Sequence, residues 1–196
     1  PAAPPLPPPP VAAPPPPIAP VSPATPGGRL AKPNVLSMPS PNFNDRPAGK
    51  RIDTIVLHHT GDNGTAQDTG RFFQDPASKV SSHYIVGKDG TIVQPVQDDK
   101  RAWHAGVSSY RGVDDVNDFS LGIEIANKGD DRDPYTDAQY EALANLVAWM
   151  MQTYNVPMER ITGHKYVALP RGRKDDPSNN FDWERMKRMV NQRLGR

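Results

Sequence analysis

Side chains from three distant segments of the chain have the chemistry to bind one metal ion. His58 and His59 end a short apolar run, His164 ends a second apolar run, and Asp176 follows shortly after it. Two imidazoles and a carboxylate are typical ligands of a catalytic zinc ion, which keeps its fourth position open for water. The chain contains no cysteine, which excludes a Cys-rich structural zinc site. The residues therefore predict a hydrolytic metal centre.

The adjacent residues His58 and His59 cannot both face the same ion. The run that ends with them is rich in Ile and Val and predicts a buried strand over residues 52–59. Successive side chains of a strand point to opposite faces. At most one of the two histidines is therefore a ligand, and strand geometry alone leaves both open.

Glu124 is the one charged residue of a predicted central strand over residues 119–126. Alternation places it on the same face as Gly122 and Ala126. A carboxylate in that setting is costly to bury without a partner. Glu124 is therefore either a general base that acts on the metal-activated water or a salt-bridged structural residue.

Lys174 lies two residues before Asp176. If Asp176 binds the metal, the Lys174 ammonium lies close to the same site and can stabilise the negative oxygen of a tetrahedral intermediate. The alternative is that Lys174 is a solvated cation of the basic run at 171–174.

Two further histidines are isolated in the sequence. His83 shares a strand face with Ile85 and is predicted to be structural. His104 follows Trp103 in a loop that contains glycine, which favours a position in the wall of a pocket.

These candidates are positioned by interleaved strands and helices. A helix is predicted at 65–75 with Phe72 and Phe73 facing inward, another from Thr136 and a last one from Asp182. An Asp-Gly pair between two β-rich runs predicts a hairpin. The pattern predicts an α/β fold, a single domain with a central mixed β-sheet and helices on both faces.

The amino-terminal part of the chain differs in composition. Residues 1–26 hold 14 of the 24 prolines, and proline removes backbone donors and fixes φ. They predict a disordered, Pro-rich polyproline II tether, continued as a linker so that residues 1–48 precede the catalytic domain. Residues 49–196 then form that domain, and roughly 148 residues suffice for one hydrophobic core.

Charge and hydropathy narrow the range of partners. The net charge is +1, which gives no argument for nucleic-acid binding. No run of about 20 apolar residues is present, so no membrane span is predicted. The chain begins with Pro1 and not with methionine, which is consistent with a processed form that has lost a signal or lipid anchor. We expect a monomer that is periplasmic, bound to the cell envelope or secreted.

Six segments, taken together, form a recognisable pattern. They read VLHHT at 56–60, VSSHY at 80–84, AWHAG at 102–106, NDFSLGIE at 117–124, TGH at 162–164 and GRKDDP at 172–177. In this order they resemble the zinc-dependent N-acetylmuramoyl-L-alanine amidases of the type-2 amidase and peptidoglycan-recognition-protein superfamily. The resemblance covers most of residues 50–190.

This resemblance implies a role for each candidate. It implies zinc ligands at His58, His164 and Asp176, a general base at Glu124 and an oxyanion-stabilising cation at Lys174.

Other positions of the pattern bear on the substrate. Some members carry a tyrosine at the position of Ser82, and the serine here favours the branch that uses the glutamate. The spacing between His164 and Asp176 is slightly long for that branch. The candidates for substrate contacts are Trp103, His104 and Arg173, with Arg173 suited to hold a stem-peptide carboxylate.

The implied reaction is hydrolysis of the amide bond between the lactyl group of N-acetylmuramic acid and L-alanine of the stem peptide. The proline-rich tail favours action on peptidoglycan at the cell wall, in its degradation or remodelling. The alternatives are a recycling amidase for 1,6-anhydro-muramoyl peptides, a phage endolysin and a non-catalytic peptidoglycan-binding module. The complete ligand set favours an enzyme, and the lack of a Gly-x-Ser-x-Gly motif disfavours a serine hydrolase.

Overall fold

The computed structural model of the chain describes residues 28–196. The tether predicted over residues 1–26 lies outside this range. The strands are β1 (Leu36–Ser37), β2 (Phe43–Asp45), β3 (Thr54–His59), β4 (Tyr84–Val86), β5 (Ile92–Gln94), β6 (Lys100–Ala102), β7 (Ser109–Tyr110), β8 (Val113–Asp114), β9 (Ser120–Ile125) and β10 (Ile161–Gly163). The helices are α1 (Ala66–Gln74), α2 (Asp137–Tyr154), α3 (His164–Val167) and α4 (Trp183–Arg193), with 3₁₀ turns at Pro76–Ser78, Val116–Asp118 and Met158–Arg160.

Six strands form the central sheet in the order β1-β5-β4-β9-β3-β10. The strands β4, β9, β3 and β10 run parallel to one another, whereas β5 is antiparallel to β4. The predicted mixed sheet is thereby confirmed, and the hairpin of β4 and β5 is the one that the Asp-Gly pair predicts. Two small antiparallel sheets, β2 with β6 and β7 with β8, lie beside it.

The two faces of the central sheet are covered by different helices. On one face, residues such as Ile123 pack with α2 and α4 in the main core. On the other face, Ile85 packs with Phe73 of α1, and Val56 packs with Val167 of α3. Helices therefore cover both faces of a single α/β domain, as the sequence predicts.

The helices begin where the sequence predicts them. Thr65 and Thr136 each form a capping box, and Asp182 caps α4. The prediction that Phe72 and Phe73 both face inward is wrong for Phe72, which is 56% exposed. Neighbouring helix residues are about 100° apart around the axis, so only Phe73 reaches the core. Within residues 28–196 no helix has the length and apolarity that crossing a membrane requires.

Residues 36–46 contact the rest of the domain through two short strands and the side chain of Arg46. Strand β1 pairs in parallel with β5 at the edge of the sheet, and β2 pairs with β6. The Arg46 side chain donates hydrogen bonds to the carbonyl oxygens of Asp98, Asn117, Asp118 and Ser120. Residues 36–46 therefore pack against the predicted domain, and the boundary at residue 48 stays a prediction. These two strands are only two and three residues long and exposed, so they lack the apolar periodicity that marks a strand.

Candidate metal centre

The predicted ligands come together at the carboxyl-terminal edge of the parallel strands. Gly163, the last residue of β10, is the register partner of Leu57 in β3. His164 follows Gly163 and His58 follows Leu57, so the two histidines lie at the same level of the sheet. Open α/β sheets commonly bind ligands outside this edge.

His58, His164 and Asp176 form a compact buried cluster. One ligand atom from each residue lies within 4.8 Å of the other two. Asp176 Oδ2 lies 2.9 Å from His58 Nδ1 and 3.0 Å from His164 Nδ1. The cluster contains His58 and not His59. Strand geometry alone had left open which of these two histidines is the candidate ligand.

The outer ring nitrogens show how the imidazoles present their lone pairs. His164 Nε2 lies 3.0 Å from the carbonyl oxygen of Ala105, and a carbonyl only accepts. Nε2 therefore carries a hydrogen, and Nδ1 is the ring nitrogen that faces Asp176. Burial lowers the pKa of His58 to about 4, although contact with the Asp176 carboxylate opposes this shift. The lowered pKa favours the neutral form of the His58 ring at neutral pH.

Two imidazole nitrogens and a carboxylate oxygen that converge in this way fit a divalent cation. A nitrogen lone pair and a carboxylate oxygen repel each other at contact distance unless a proton or a cation lies between them. Zinc accepts such nitrogen and oxygen ligands. The bond from His164 to a backbone carbonyl is also the usual outer contact of a ligating histidine. The donor set therefore fits the zinc centre that the sequence predicts.

Glu124 lies beside His58 and has an oxygen that no protein group satisfies. The two residues are register partners in β9 and β3. Within residues 28–196, Glu124 Oε2 is buried and lacks a hydrogen-bond partner. Burial, and after it the charge of Asp176, raises the pKa of Glu124 well above its usual value. An unpaired carboxylate oxygen at this position suits proton transfer better than it suits a salt bridge.

Lys174 lies within electrostatic reach of the cluster. Its positive charge lowers the pKa of both Glu124 and His58, although it is not the largest influence on either. The residue itself is exposed. Its ammonium is therefore accessible to solvent while its charge reaches the cluster.

The segment that carries Asp176 is held by hydrogen bonds on both sides of that residue. The Asp176 carbonyl accepts a 2.9 Å hydrogen bond from the backbone N–H of Lys165. The backbone N–H of Ser178 donates to His59 Nδ1 at 3.1 Å. The His59 ring packs closely on Gly129, where a Cβ would lie 2.4 Å from it. His59 thus supports the ligand segment from the other face of β3.

His104 lies beneath the cluster and not on its open side. It is only 8% exposed, and its Nδ1 lies 3.0 Å from His58 Nε2. Its Nε2 lies 3.0 Å from Ser120 Oγ. Both ring nitrogens therefore have protein partners, and the substrate contact predicted for His104 stays a prediction. The neighbouring Trp103 and the loop glycine indicated a pocket wall, but the loop folds the ring inward.

Trp103 and Arg173 lie closer to solvent. The half-buried Trp103 donates its indole N–H to Asn44 Oδ1 at 2.8 Å. The exposed Arg173 donates to the carbonyl oxygens of Leu169 at 2.7 Å and of Val107 at 2.8 Å. Arg173 therefore braces two loops near the cluster, and both residues stay candidates for substrate contacts.

Ser82 and His83 are fully buried and do not line the open side. Ser82 Oγ donates to the carbonyl oxygen of Tyr84 at 2.8 Å. His83 Nδ1 accepts the backbone N–H of Gly122 at 3.0 Å. The buried position and backbone contact of His83 agree with the structural role expected for it.

Three residues around His104 were not identified from the sequence. Asn117 Oδ1 accepts the backbone N–H groups of His104 at 3.2 Å and Ala105 at 2.8 Å. Ser120 contacts the ring, and Gly122 leaves space for it. A glycine inside a central strand signals the close approach of another group, and this was the one available signal.

A mixed α/β sheet that presents two imidazoles and two carboxylates at its strand ends has the make-up of a metal-dependent hydrolase. The family model Amidase_2, described as N-acetylmuramoyl-L-alanine amidase, matches residues 48–179. The chain belongs to this family of peptidoglycan-degrading amidases, which confirms the predicted enzyme class.

Similar proteins carry more specific names. The chain is 39% identical over 169 residues to the 1,6-anhydro-N-acetylmuramyl-L-alanine amidase AmpD of Salmonella typhimurium (strain SL1344), which covers 78% of this chain and 88% of that protein. It is 34% identical over 156 residues to the N-acetylmuramoyl-L-alanine amidase AmiD of Escherichia coli (strain K12), which covers 69% of this chain and 52% of that protein.

Solved structures share the fold. A selenomethionine derivative of AmpD matches with a TM-score of 0.69 and 37% identity, over 80% of this chain and 94% of that one. A second structure is AmiD from E. coli in complex with the substrate anhydro-N-acetylmuramic acid-L-Ala-D-gamma-Glu-L-Lys. It matches with a TM-score of 0.63 and 30% identity, over 74% of this chain and 60% of that one. The predicted type-2 amidase fold is thereby confirmed.

Proposed function

We propose that the chain is a zinc-dependent amidase that acts on 1,6-anhydro-muramyl peptides. The bond cleaved is the amide between the lactyl group of the muramic acid and L-alanine of the stem peptide. The observation that carries the zinc chemistry is the convergence of His58 Nδ1 and His164 Nδ1 on Asp176 Oδ2, at 2.9 Å and 3.0 Å.

The choice of substrate rests on the relatives. AmpD, whose name specifies the 1,6-anhydro sugar, aligns over 88% of its own length, and the AmiD complex contains an anhydro-muramic peptide. These similarities support the recycling alternative of the sequence analysis better than degradation of the intact wall.

The residues divide the chemistry between them. When bound, zinc supplies Lewis acidity and lowers the pKa of water toward about 7. Glu124 takes a proton from the water as the water oxygen adds to the carbonyl carbon of the lactyl group. The Lys174 ammonium stabilises the negative charge that develops on the carbonyl oxygen. Glu124 then gives the proton to the nitrogen of L-alanine as the carbon–nitrogen bond breaks.

A second candidate is an amidase of the intact wall. The AmiD similarity favours it, because the name of AmiD carries no restriction to anhydro sugars. The predicted location in the envelope or outside the cell would suit this activity, and it stays a prediction. A module that only binds peptidoglycan is the third possibility.

Three substrates separate these functions. Zinc-loaded protein is incubated with anhydro-muramyl tripeptide, with the matching reduced muropeptide and with intact sacculi, and products are measured by mass spectrometry. We expect cleavage of the anhydro peptide in preference to both others, loss of activity with a chelator and recovery with zinc. Preferential cleavage of sacculi would favour the second candidate. Binding without cleavage of any substrate would favour the third and contradict the proposal.

A further inference from the structure

A chain of hydrogen-bonding groups runs from the metal cluster into the core of the domain. His58 Nε2 lies 3.0 Å from His104 Nδ1, and His104 Nε2 lies 3.0 Å from Ser120 Oγ. Ser120 Oγ in turn lies 2.6 Å from the carbonyl oxygen of Val116. The side chains of His58, His104 and Ser120 are all buried, so they depend on one another and on Val116 for hydrogen-bond partners.

The backbone carbonyl at the inner end sets the direction of every bond. The carbonyl of Val116 can only accept, so the Ser120 hydroxyl donates to it. Ser120 Oγ then accepts the hydrogen of His104 Nε2. A neutral imidazole with its hydrogen on Nε2 has a lone pair on Nδ1, and this lone pair accepts the hydrogen of His58 Nε2.

This direction decides which nitrogen of His58 is available to a metal. With its hydrogen on Nε2, the His58 ring keeps the lone pair on Nδ1, the atom that lies 2.9 Å from Asp176 Oδ2. His164 reaches the same state through a direct bond to the carbonyl of Ala105. The two rings therefore use different routes to the same tautomer, and only the route of His58 passes through another side chain.

The position of the His104 ring is fixed by two further residues. A Cβ on Gly122 would lie 2.5 Å from His104 Cγ, so only glycine leaves space for the ring against β9. The backbone N–H of His104 donates to Asn117 Oδ1 at 3.2 Å. The ring is thus held against the sheet with one edge toward His58 and the other toward Ser120.

We propose that His104 is a positioning residue of the metal centre, which holds His58 in the tautomer that presents Nδ1 to the ion. This role rests on the proposed zinc function. It assigns Ser120 as the residue that orients His104, and it explains why a polar ring is buried behind a ligand. Outer partners of ligating histidines typically contribute 10- to 100-fold in metal affinity, as an order of magnitude.

Two amide substitutions test this role separately from packing. In His104→Asn the amide lies near the position of Nδ1 and still offers an oxygen to His58. In His104→Gln the amide lies near the position of Nε2, so it keeps a partner for Ser120 but leaves His58 Nε2 without an acceptor. His83→Asn is the matched control, because His83 is also a buried histidine and contacts His104 but not the ligands.

Zinc affinity is measured by competition with a chromophoric chelator, after circular dichroism and thermal melting establish that each variant is folded. We expect His104→Gln to weaken zinc binding about 10- to 100-fold, His104→Asn to stay much closer to wild type and His83→Asn to match wild type. Equal affinities for the two His104 variants would overturn the role. A wild-type chain that binds no zinc would overturn the zinc chemistry itself, which is a distinct outcome.

Nitrogen-15 NMR of the imidazoles gives a readout independent of activity and of folding yield. In the zinc-loaded wild type we expect the ring hydrogens of His58 and His104 on Nε2. Ser120→Ala removes the acceptor of His104 Nε2 and should shift the His104 tautomer towards Nδ1–H, with a loss of zinc affinity. Finding His104 with its hydrogen on Nδ1 in the wild type would overturn the proposal.

Discussion

His58 and Glu124 are register partners in the neighbouring parallel strands β3 and β9, and their side chains lie on the same face of the sheet. One strand thus supplies a candidate ligand and the next supplies the carboxylate beside it. Because backbone pairing and not a loop sets this adjacency, the proposed base and the proposed ligand keep a fixed relationship.

We expect Glu124→Gln to retain zinc and to lose most amidase activity, because the amide has nearly the same shape but cannot accept the proton of water. General acid–base groups contribute about 10²- to 10⁴-fold in rate. The measurement is kcat on an anhydro-muramyl peptide, with bound zinc determined on the same sample. The exposed Glu184 provides the control Glu184→Gln. Turnover at the wild-type rate by Glu124→Gln would exclude Glu124 as the base.

Lys174→Met should lower kcat with little change in zinc content, because it removes a charge near the developing oxyanion and no ligand. Loss of one oxyanion-stabilising group typically costs about 10²- to 10³-fold. Steady-state kinetics on the same peptide check this, with Lys187→Met on α4 as the control. If Lys174→Met raises KM and leaves kcat unchanged, Lys174 binds substrate and does not stabilise the transition state.

Arg46→Met tests whether the amino-terminal segment is part of the folded unit. The substitution removes the donors to four backbone carbonyl oxygens, those of Asp98, Asn117, Asp118 and Ser120. A hydrogen bond from a charged donor contributes about 1.5–3 kcal/mol, so we expect the free energy of unfolding to fall by about 3 kcal/mol. Urea denaturation measures this change, with Arg51→Met at an exposed position as the control. Equal urea midpoints for the two variants would show that Arg46 does not secure the segment.

Acid should destabilise the metal-free protein partly through His83. Burial, and after it the charge of Arg46, lowers the pKa of His83 from 6.5 to about 3. As the pH falls below the unfolded value, the unfolded chain takes up a proton that the folded chain does not. The free energy of unfolding then falls by up to about 1.4 kcal/mol per pH unit until the folded pKa is reached.

His83→Asn should remove this part of the pH dependence while keeping an acceptor for the Gly122 N–H. Urea denaturation from about pH 7 down to about pH 4 compares the two proteins. Parallel stability curves for the variant and the wild type would mean that His83 does not contribute to the loss.

The candidate metal ligands were predictable because their signals are local. His58 and His164 each follow a short apolar strand, and parallel strands bring their carboxyl ends to one edge. Alternation excluded one residue of the pair His58 and His59 without showing which. That choice required the resemblance to the amidase family, and the cluster around Asp176 agrees with it.

The surroundings of the ligands were not predictable because they depend on pairing between distant segments. Arg46 reaches the carbonyl of Asn117 across 71 residues of sequence. His104 turns inward because Gly122 in β9 leaves space beside His58. Neither contact has a sequence period or spacing of its own, so only the assembled sheet places these side chains.

The strand end of β3 contacts the ligand segment with two successive residues. His58 meets the carboxylate of Asp176, while His59 accepts a hydrogen bond from the backbone N–H of Ser178. The hydrogen bond between Ser178 and His59 does not involve a metal ion. The hydrogen bond from the Lys165 N–H to the Asp176 carbonyl does not involve one either. Zinc fingers differ, because they fold only around their metal. We therefore expect the ligand segment to keep its place in the metal-free protein, so that the domain folds before any ion binds.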